Sequence, residues 1–420
     1  MQKYNWKKSV LGKHISVLTD YHANGSYKKL KANVELLDEP NYAVMIRTTN
    51  FERDDFKDNL RYITKHAYEF LHKSKVYPRD ILMNKIANAG SVYLMPDLKR
   101  PVSLAMNLFL IRTKPETTNQ VFVYYYLKAN EEYIKTFATG TASQTINKKA
   151  VRQLEITLPP LNIQSRIANF LLSYEKLIEI NKQRIKILEE IAQLLYHQWF
   201  ECYRFPGYEN IRLVNSGTEF EEIPEGWEIS ELSKYVDFVR GVEPGSKNYE
   251  HKFLPGYIPF LRVGDLGKRS SGIFIKRNLA KGRELNYADI AITLDGTIGL
   301  VGIGLKGAYS SGIRKAEIIP NSPLKRSFIY LELQSDRMQA KIKAHAKGTT
   351  ILHASSAIGN MDFVLHDKNT LNLFDNFVEP IIQQILLLKN RVEVLEVTRD
   401  FLTPKIVSGE FDLSNLSIDF

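Results

Sequence analysis

The sequence predicts an α/β (α+β) chain with two similar globular regions separated by two long antiparallel coiled-coil helices, related by an internal pseudo-twofold repeat. Three observations predict it. The chain matches itself collinearly, each copy ends in a heptad run, and short β-rich runs between turn signals precede each heptad run.

The self-match comes first. Residues 80–92 (DILMNKIANAGSV) align with 289–301 (DIAITLDGTIGLV), pairing Asp80 with Asp289, Ile81 with Ile290, Gly90 with Gly299 and Val92 with Val301 at an offset of 209. Gly140-Thr141 matches Gly348-Thr349 at 208, and Leu154-Glu155-Ile156 matches Met361-Asp362-Phe363 at 207. The offset of 207 persists through Phe170/Phe377, Ile178/Ile385, Arg184/Arg391 and Leu188/Leu395. Near the start, Trp6, Leu11 and Ile15 mirror Trp227, Leu232 and Val236 at 221. A drifting offset means loops of unequal length between elements whose order is kept. The chain therefore reads as two copies of one unit, residues 1–205 and 220–410.

Within each copy, runs such as 42–47 (YAVMIR), 107–112 (NLFLIR), 257–263 (YIPFLRV) and 288–294 (ADIAITL) read as strands. A helix follows. In the first copy Ile163, Ile167, Phe170, Tyr174, Leu177, Asn181, Arg184, Leu188, Ile191 and Leu195 recur at 4/3 spacing, with Leu171, Ile178, Ile185 and Trp199 widening the stripe. Asn181 and Arg184 interrupt this seam: either they set register, or Ile178 and Ile185 carry it there. Pro159-Pro160 mark the helix start near Leu161. The second copy runs Phe374, Val378, Ile381, Ile385, Leu388, Val392, Leu395 and Leu402, with Pro404 and Gly409 expected to end it and Pro380 to kink it or mark its start. A stripe this long cannot bury itself, so the two seams are expected to pack on each other. The division expected is 1–158 and 205–370 for the globular regions, 159–204 and 371–420 for the helices.

Composition narrows the function. The 420 residues carry 57 Lys+Arg against 47 Asp+Glu, a formal net charge of +10, which favours an anionic partner such as nucleic acid. The start, MQKYNWKKSVLGKH, has no apolar signal core, no stretch approaches a membrane span, and the one cysteine, Cys202, permits no intrachain disulfide; a cytoplasmic protein is expected. Enzyme templates fail. There is no G-x-x-x-x-G-K-[ST], G-x-S-x-G, H-E-x-x-H or helix-opening G-x-G-x-x-G, and no metal site is expected among the scattered histidines. Leu294-Asp295-Gly296-Thr297 has Thr293 where a D-x-D-G-T nucleophile belongs, and Asp55-Phe56-Lys57 is a short nuclease-like pattern that arises readily by chance.

What remains is basic and polar material on β-rich scaffolds, the mixture that DNA readout uses: Lys and Arg for phosphates, Arg, Asn, Gln, Ser and Thr for base edges. The first copy offers Arg47, Thr48, Thr49, Asn50, Arg61, Lys65, Asn84, Lys85, Asn88, Thr141, Ser143 and Gln144. The second offers Arg262, Lys268, Arg269, Lys276, Arg277, Thr297, Ser310, Ser311, Arg314, Lys315, Thr349 and Thr350.

The chain resembles the specificity subunits of type I restriction–modification systems. Leu158-Pro159-Pro160-Leu161 leading into RIANFLLSYEKLIEINKQRIKILEEIAQLLYHQWF (166–200) carries the likeness, together with Ile223-Pro224-Glu225-Gly226-Trp227. Residues 259–266 (PFLRVGDL), 294–299 and 310–315 are similar to strands of the family's target-recognition domains, while Arg47-Thr48-Thr49-Asn50-Phe51 matches 262–266 only loosely. The resemblance implies two target-recognition domains reading the halves of a bipartite double-stranded DNA target, with the helices fixing the gap. It implies no catalysis and no cofactor in this chain. Two modification subunits would supply S-adenosylmethionine-dependent methylation, and restriction subunits would use ATP and Mg. A duplicated coiled-coil adaptor without sequence-specific DNA binding is the alternative.

Overall fold

The structure, a computed structural model, describes residues 6–140, 143–266, 272–348, 352–411 and 413. Contacts divide the chain into two units: Met1–Leu177 with Leu395–Phe420, and Ile178–Val394.

In unit one the strands are β1 (Lys7–Val10), β2 (Ile15–Asp20), β3 (Ala43–Ile46), β4 (Tyr62–Ile63), β5 (Lys75–Val76), β6 (Ile81–Asn84), β7 (Val92–Leu94), β8 (Val102–Leu104), β9 (Leu108–Thr113) and β10 (Glu155–Leu158). They form sheets of order β2-β9-β6-β7 and β4-β3-β8-β5 plus the ribbon β1-β10, antiparallel except for the pair β3–β8. The apolar strands β3 (AVMI) and β6 (ILMN) are buried along their whole length, which places them inside the unit. Helix α1 (Gln120–Ala129) starts at Asn119, whose side chain accepts from the N–H groups of Val121 and Phe122, and α2 (Glu131–Lys135) follows.

Unit two repeats this plan. Its strands are β11 (Glu228–Glu231), β12 (Val236–Arg240), β13 (Tyr257–Leu261), β14 (Phe274–Lys276), β15 (Glu284–Leu285), β16 (Ile290–Thr293), β17 (Val301–Gly302), β18 (Gly307–Tyr309), β19 (Ile313–Ile318) and β20 (Asp362–Leu365). The sheets run β12-β19-β16-β17 and β14-β13-β18-β15, with the ribbon β11-β20 and the parallel pair β13–β18. Every pairing of unit one recurs ten strands later. Outside this pattern, Leu213–Asn215 pairs with Glu222–Pro224.

The long helices are α3 (Leu161–Tyr196), ending in a π-helical turn over His197–Glu201, and α6 (Lys368–Val407). Between them in unit two lie α4 (Arg326–Glu332) and α5 (Asp336–Ala344). The long helices pair antiparallel within each unit. In unit one Arg399 meets Glu175 at 3.0 Å and Arg166 donates to the Leu413 carbonyl at 3.1 Å. In unit two Lys389 meets Glu189 at 3.0 Å, and the Trp199 and Phe374 rings are 5.4 Å apart. Each unit is completed by the end of the other copy's helix. Ile406, Val407 and Leu413 join Leu11, Phe122 and Leu171 in the core of unit one. In unit two Phe200 packs on Phe328 and Phe374 at 5.1 and 4.6 Å.

Two expectations need correcting. The seam of α3 does not include Leu177 or Ile191, which are 47% and 42% exposed; it follows Leu171, Ile178, Ile185 and Ala192 every seventh residue, with Ile167 also buried. Phe170, Leu188 and Leu195 flank it half-buried and Arg184 is exposed, whereas Asn181 is buried, so the interrupted stretch is carried by Ile178 and Ile185 with Asn181 buried between them in sequence. The physical reason is that α3 carries apolar residues on two neighbouring faces, and periodicity alone does not say which one meets the partner helix. On α6 the expected Ile385, Leu388 and Val392 are buried, with Ile381 and Leu395 half-buried. The second correction concerns proline. Helix α6 begins at Lys368 and runs through both Pro380 and Pro404; the left-handed Gly409 (φ +77°) follows its end.

Inside unit two the Tyr196 hydroxyl donates to the buried Glu332 carboxyl, joining α3 to α4. Burial raises Glu332 to about 7. Burial likewise holds His366 well below its ordinary value, with its ring stacked 4.3 Å from Phe200.

Candidate nucleic-acid interface

In both units a core strand, wholly buried in unit one and partly so in unit two, is followed by an arginine whose backbone opens a single turn. After β3, the Arg47 N–H donates to Asn50 Oδ1 at 3.0 Å and the Asn50 N–H returns to the Arg47 carbonyl at 3.1 Å. After β13, the Arg262 N–H donates to Asp265 Oδ2 at 2.8 Å and the Asp265 N–H to the Arg262 carbonyl, also at 2.8 Å. This reciprocal pair satisfies donors that a short turn would otherwise leave open. It also explains why the first copy has Asn where the second has Asp: either side chain supplies the one oxygen required.

Around Arg47 the turn builds a cleft of about 340 Å³. Asn50 is buried at its base, its amide donating to the Asp55 and Asn59 carbonyls at 3.0 and 3.3 Å. Arg47 Nη2 donates to the Asn59 carbonyl at 2.6 Å, while its Nε is buried with no acceptor among the described residues. Arg61 is paired with Asp38. Asp55 receives the Lys57 and Asp58 N–H groups and the Asn59 amide; chiefly that amide holds its carboxyl down at about 2. The Asp55-Phe56-Lys57 stretch is thus a turn organised by Asp55. Thr49, Arg53 and Asp58 face the cleft exposed, with no side-chain bond to any described residue.

A second rim of unit one follows β6. Asn84 is buried, donating to the Tyr93 hydroxyl at 3.1 Å and accepting from the Thr48 hydroxyl at 3.0 Å. Lys85 reaches Asp20 at 2.9 Å, with Lys148 on the other oxygen at 3.2 Å. Burial pushes Asp20 up, but these two ammonium groups outweigh it and hold the carboxyl below its usual range. The Ala87 N–H donates to the Gln144 carbonyl at 3.0 Å, which sets exposed Asn88 on one loop beside exposed Ser143 and Gln144 on the next. Lys65 is exposed near the Tyr42 ring.

In unit two the corresponding turn has Gly296 donating to the Leu352 carbonyl at 2.8 Å, beside exposed Thr297. Gly90 and Gly299 close the two turns at φ +93° and +83°, where an added Cβ would meet Ile134 at 2.9 Å and Gln339 at 2.4 Å. Arg262 and Lys276 are exposed, and Arg277 is exposed while paired to Glu284. Ser310 and Arg314 are buried; Arg314 donates to the Ser311 carbonyl and Ser355 Oγ and lies 3.6 Å from Asp295, which also holds His353 at 2.8 Å. Ser311 bonds Glu243, and Lys315 pairs with Asp289 at 3.1 Å.

The expected residues thus fall into three groups. Asn50, Asn84, Lys85, Arg314 and Lys315 have their side-chain polar atoms engaged inside the fold and shape the loops, and buried Ser310 is held through its backbone. Thr49, Lys65, Asn88, Ser143, Gln144, Arg262, Lys276, Arg277 and Thr297 are exposed, whereas Arg47, Thr48, Arg61 and Ser311 are half-buried. Thr141, Lys268, Arg269, Thr349 and Thr350 lie outside the described residues. A search guided by positive charge passes over Asp38 and Asp58, which share the cleft with the arginines, and over Phe253, which stands 67% exposed beside Lys252. The Asp55-x-x-Asp58 spacing is a turn pattern and places Asp58 at this rim. Among the described residues there is no group of three or more His, Cys, Asp or Glu able to hold a metal, and no helix long and apolar enough to cross a membrane.

Residues 18–190 match the family described as the type I restriction modification DNA specificity domain. Over 357 residues the chain is 28% identical to the type I restriction enzyme MjaIX specificity subunit of Methanocaldococcus jannaschii, covering 81% of this chain and 80% of that one. Over 412 residues it is 23% identical to the HindI specificity subunit of Haemophilus influenzae, covering 80% and 88%. The crystal structure of a type I restriction–modification S subunit from M. genitalium shares the fold, with a TM-score of 0.57 at 16% identity over 97% of each chain.

Proposed function

Since this chain belongs to the DNA specificity subunits of type I restriction–modification systems, we propose that it reads a two-part DNA target, one half with each unit. The observation that carries the reading is the duplicated scaffold: each unit presents a capped arginine turn and a glycine-closed loop on the same pair of sheets. Residues 1–158 and 205–370 are the recognition domains, and 159–204 and 371–420 the spacer helices. Exposed Lys and Arg take phosphates, and the rim side chains reach base edges.

The chain itself performs no catalysis, binds no cofactor and works in the cytoplasm. Two modification subunits bring S-adenosylmethionine and methylate; restriction subunits bring ATP- and Mg-dependent cleavage. Apolar side chains exposed on the long helices support a protein partner there: Ile180, Ile187 and Leu194 on α3, Phe377, Leu387 and Val394 on α6, all in unit two.

Phosphate contacts release counterions, so specific binding to duplex DNA should fall on the order of 10³-fold between 50 and 200 mM salt. Titration of fluorescent duplex with the chain and its modification subunits measures this. An affinity flat across that range contradicts the reading.

A further inference from the structure

The cleft beside Arg47 has a composition that discriminates between ligands. Three arginines (Arg47, Arg53, Arg61) and three aspartates (Asp38, Asp55, Asp58) line it, so its charges cancel. A phosphate is a poor occupant, because each carboxylate repels it. A neutral group displaying both acceptors and donors suits the lining better. The lining is also partly prepaid in hydrogen bonds: Arg47 is anchored to the Asn59 carbonyl, Arg61 to Asp38, and Asp55 to its own turn. What is left for a ligand is the Arg53 guanidinium, the Asp58 carboxylate and the Thr49 hydroxyl, all exposed.

From this, and resting on the DNA-reading role proposed above, we propose that the cleft reads one G·C base pair from the major groove. In that pair guanine presents the acceptors O6 and N7 side by side, and cytosine presents its N4 amino donor next to them. Arg53 supplies the two parallel N–H groups that match O6 and N7. Asp58 supplies the acceptor for the amino group. An A·T pair presents no adjacent acceptor pair on one base, so the arginine fork loses one of its two bonds there. Arg47 and Asn50 act as positioning residues, holding the turn from which Arg53 projects.

The test is methylation sequencing of cells carrying the full chain with its modification subunits, wild type against Arg53→Ala, Arg53→Lys and Asp58→Asn. The expected wild-type motif has a specified G·C pair in one half. In Arg53→Ala that single position loses discrimination, by roughly 5- to 150-fold, while the other half stays fully specified, which also shows that the variant folds and assembles. Arg53→Lys, a point charge without the fork, relaxes the same position, and Asp58→Asn relaxes it more weakly. An unchanged motif in Arg53→Ala overturns the proposal. So does a uniform drop in methylation at every site that Arg53→Lys restores, which marks a phosphate contact. A wild type with no two-part motif at all refutes the DNA-reading role itself, a result separate from either of these.

Discussion

The two units carry one scaffold and two different rims. Before β3 the chain reads Asp38-Glu39-Pro40-Asn41-Tyr42, and leading into β13 it reads Phe253-Leu254-Pro255-Gly256, with Tyr257 opening the strand. In unit one Asp38 pairs with Arg61 and borders the polar cleft; in unit two Phe253 stands exposed with its ring 5.8 Å from Phe274. Beneath these tips the turns keep the same backbone bonds. Arg47–Asn50 and Arg262–Asp265 make the same reciprocal bonds, and the Gly90 and Gly299 N–H groups return to Asn84 and Thr293 at 2.9 and 2.8 Å. Backbone bonds hold the scaffold the same in both units, while these solvent-facing tips differ. Two halves of one target can therefore differ in sequence although their readers share a fold.

The largest test of this equivalence is truncation. Ending the chain after residue 220 removes Ile406, Val407 and Leu413 from the core of unit one. At roughly 1.5–3 kcal/mol for each buried side chain, that is comparable to the whole stability of a domain. The fragment should fold only as a dimer, each copy lending its own 178–205 segment, because Trp199 and Phe200 are the repeat equivalents of Ile406 and Val407. Analytical ultracentrifugation that finds a folded monomer breaks the equivalence.

Next in size is the helix register. Ile185 is 9% exposed and Ile187 54%. Ile185→Asp should cost about 3–5 kcal/mol, by placing a charge in the seam, and Ile187→Asp under about 0.5 kcal/mol. Equal melting temperatures would refute the seam.

Glu332 sharpens a difference between the units, since Phe122 to Ala129 in unit one offers no carboxylate at the matching helix. With its folded value raised to about 7, Glu332 is held neutral, so its contribution is complete below the unfolded value near 4.5 and is lost as pH rises through 7. Glu332→Gln keeps an acceptor for Tyr196 and removes the titration. Its melting temperature should rise relative to wild type between pH 4.5 and 7, by an amount equivalent to a few kcal/mol, then level off. Parallel curves for the two proteins would contradict the burial assigned to this group.

The smallest effect tests the loop turns. Ala87 sits at φ +67° where unit two has Gly296 at φ +76°. Ala87→Gly should stabilise unit one by about 0.5–1 kcal/mol, and Gly296→Ala should destabilise unit two by about 1 kcal/mol, as read by thermal melts. The same sign for both would deny the equivalence of the turns.

Much of the fold was legible in the sequence because it is written twice. The pair Asp80/Asp289 through Val92/Val301 locates β6–β7 and β16–β17, and the heptads locate both long helices. The register of α3 was not legible, because Leu177, Ile180, Ile187 and Ile191 make a second apolar stripe beside the seam. Pro380 does not mark the start of α6 and Pro404 does not end it, because a proline removes one hydrogen bond of a helix, a loss that a 40-residue packed helix absorbs. The site was legible in its residue types but not in their roles. Asn50 and Arg314 each bond a residue three positions away, but their inward orientation also rests on Asn59 and Ser355, 9 and 41 residues away, and those contacts no local pattern reveals.

The central claim is that one chain reads two different half-sites at a set spacing. Methylation sequencing of a host expressing it with its modification subunits tests this most directly. A motif with two unlike specified halves flanking a gap of constant, unspecified length is the result expected. A continuous motif, or no new methylation in a host where the modification subunits are active with another specificity chain, would contradict it.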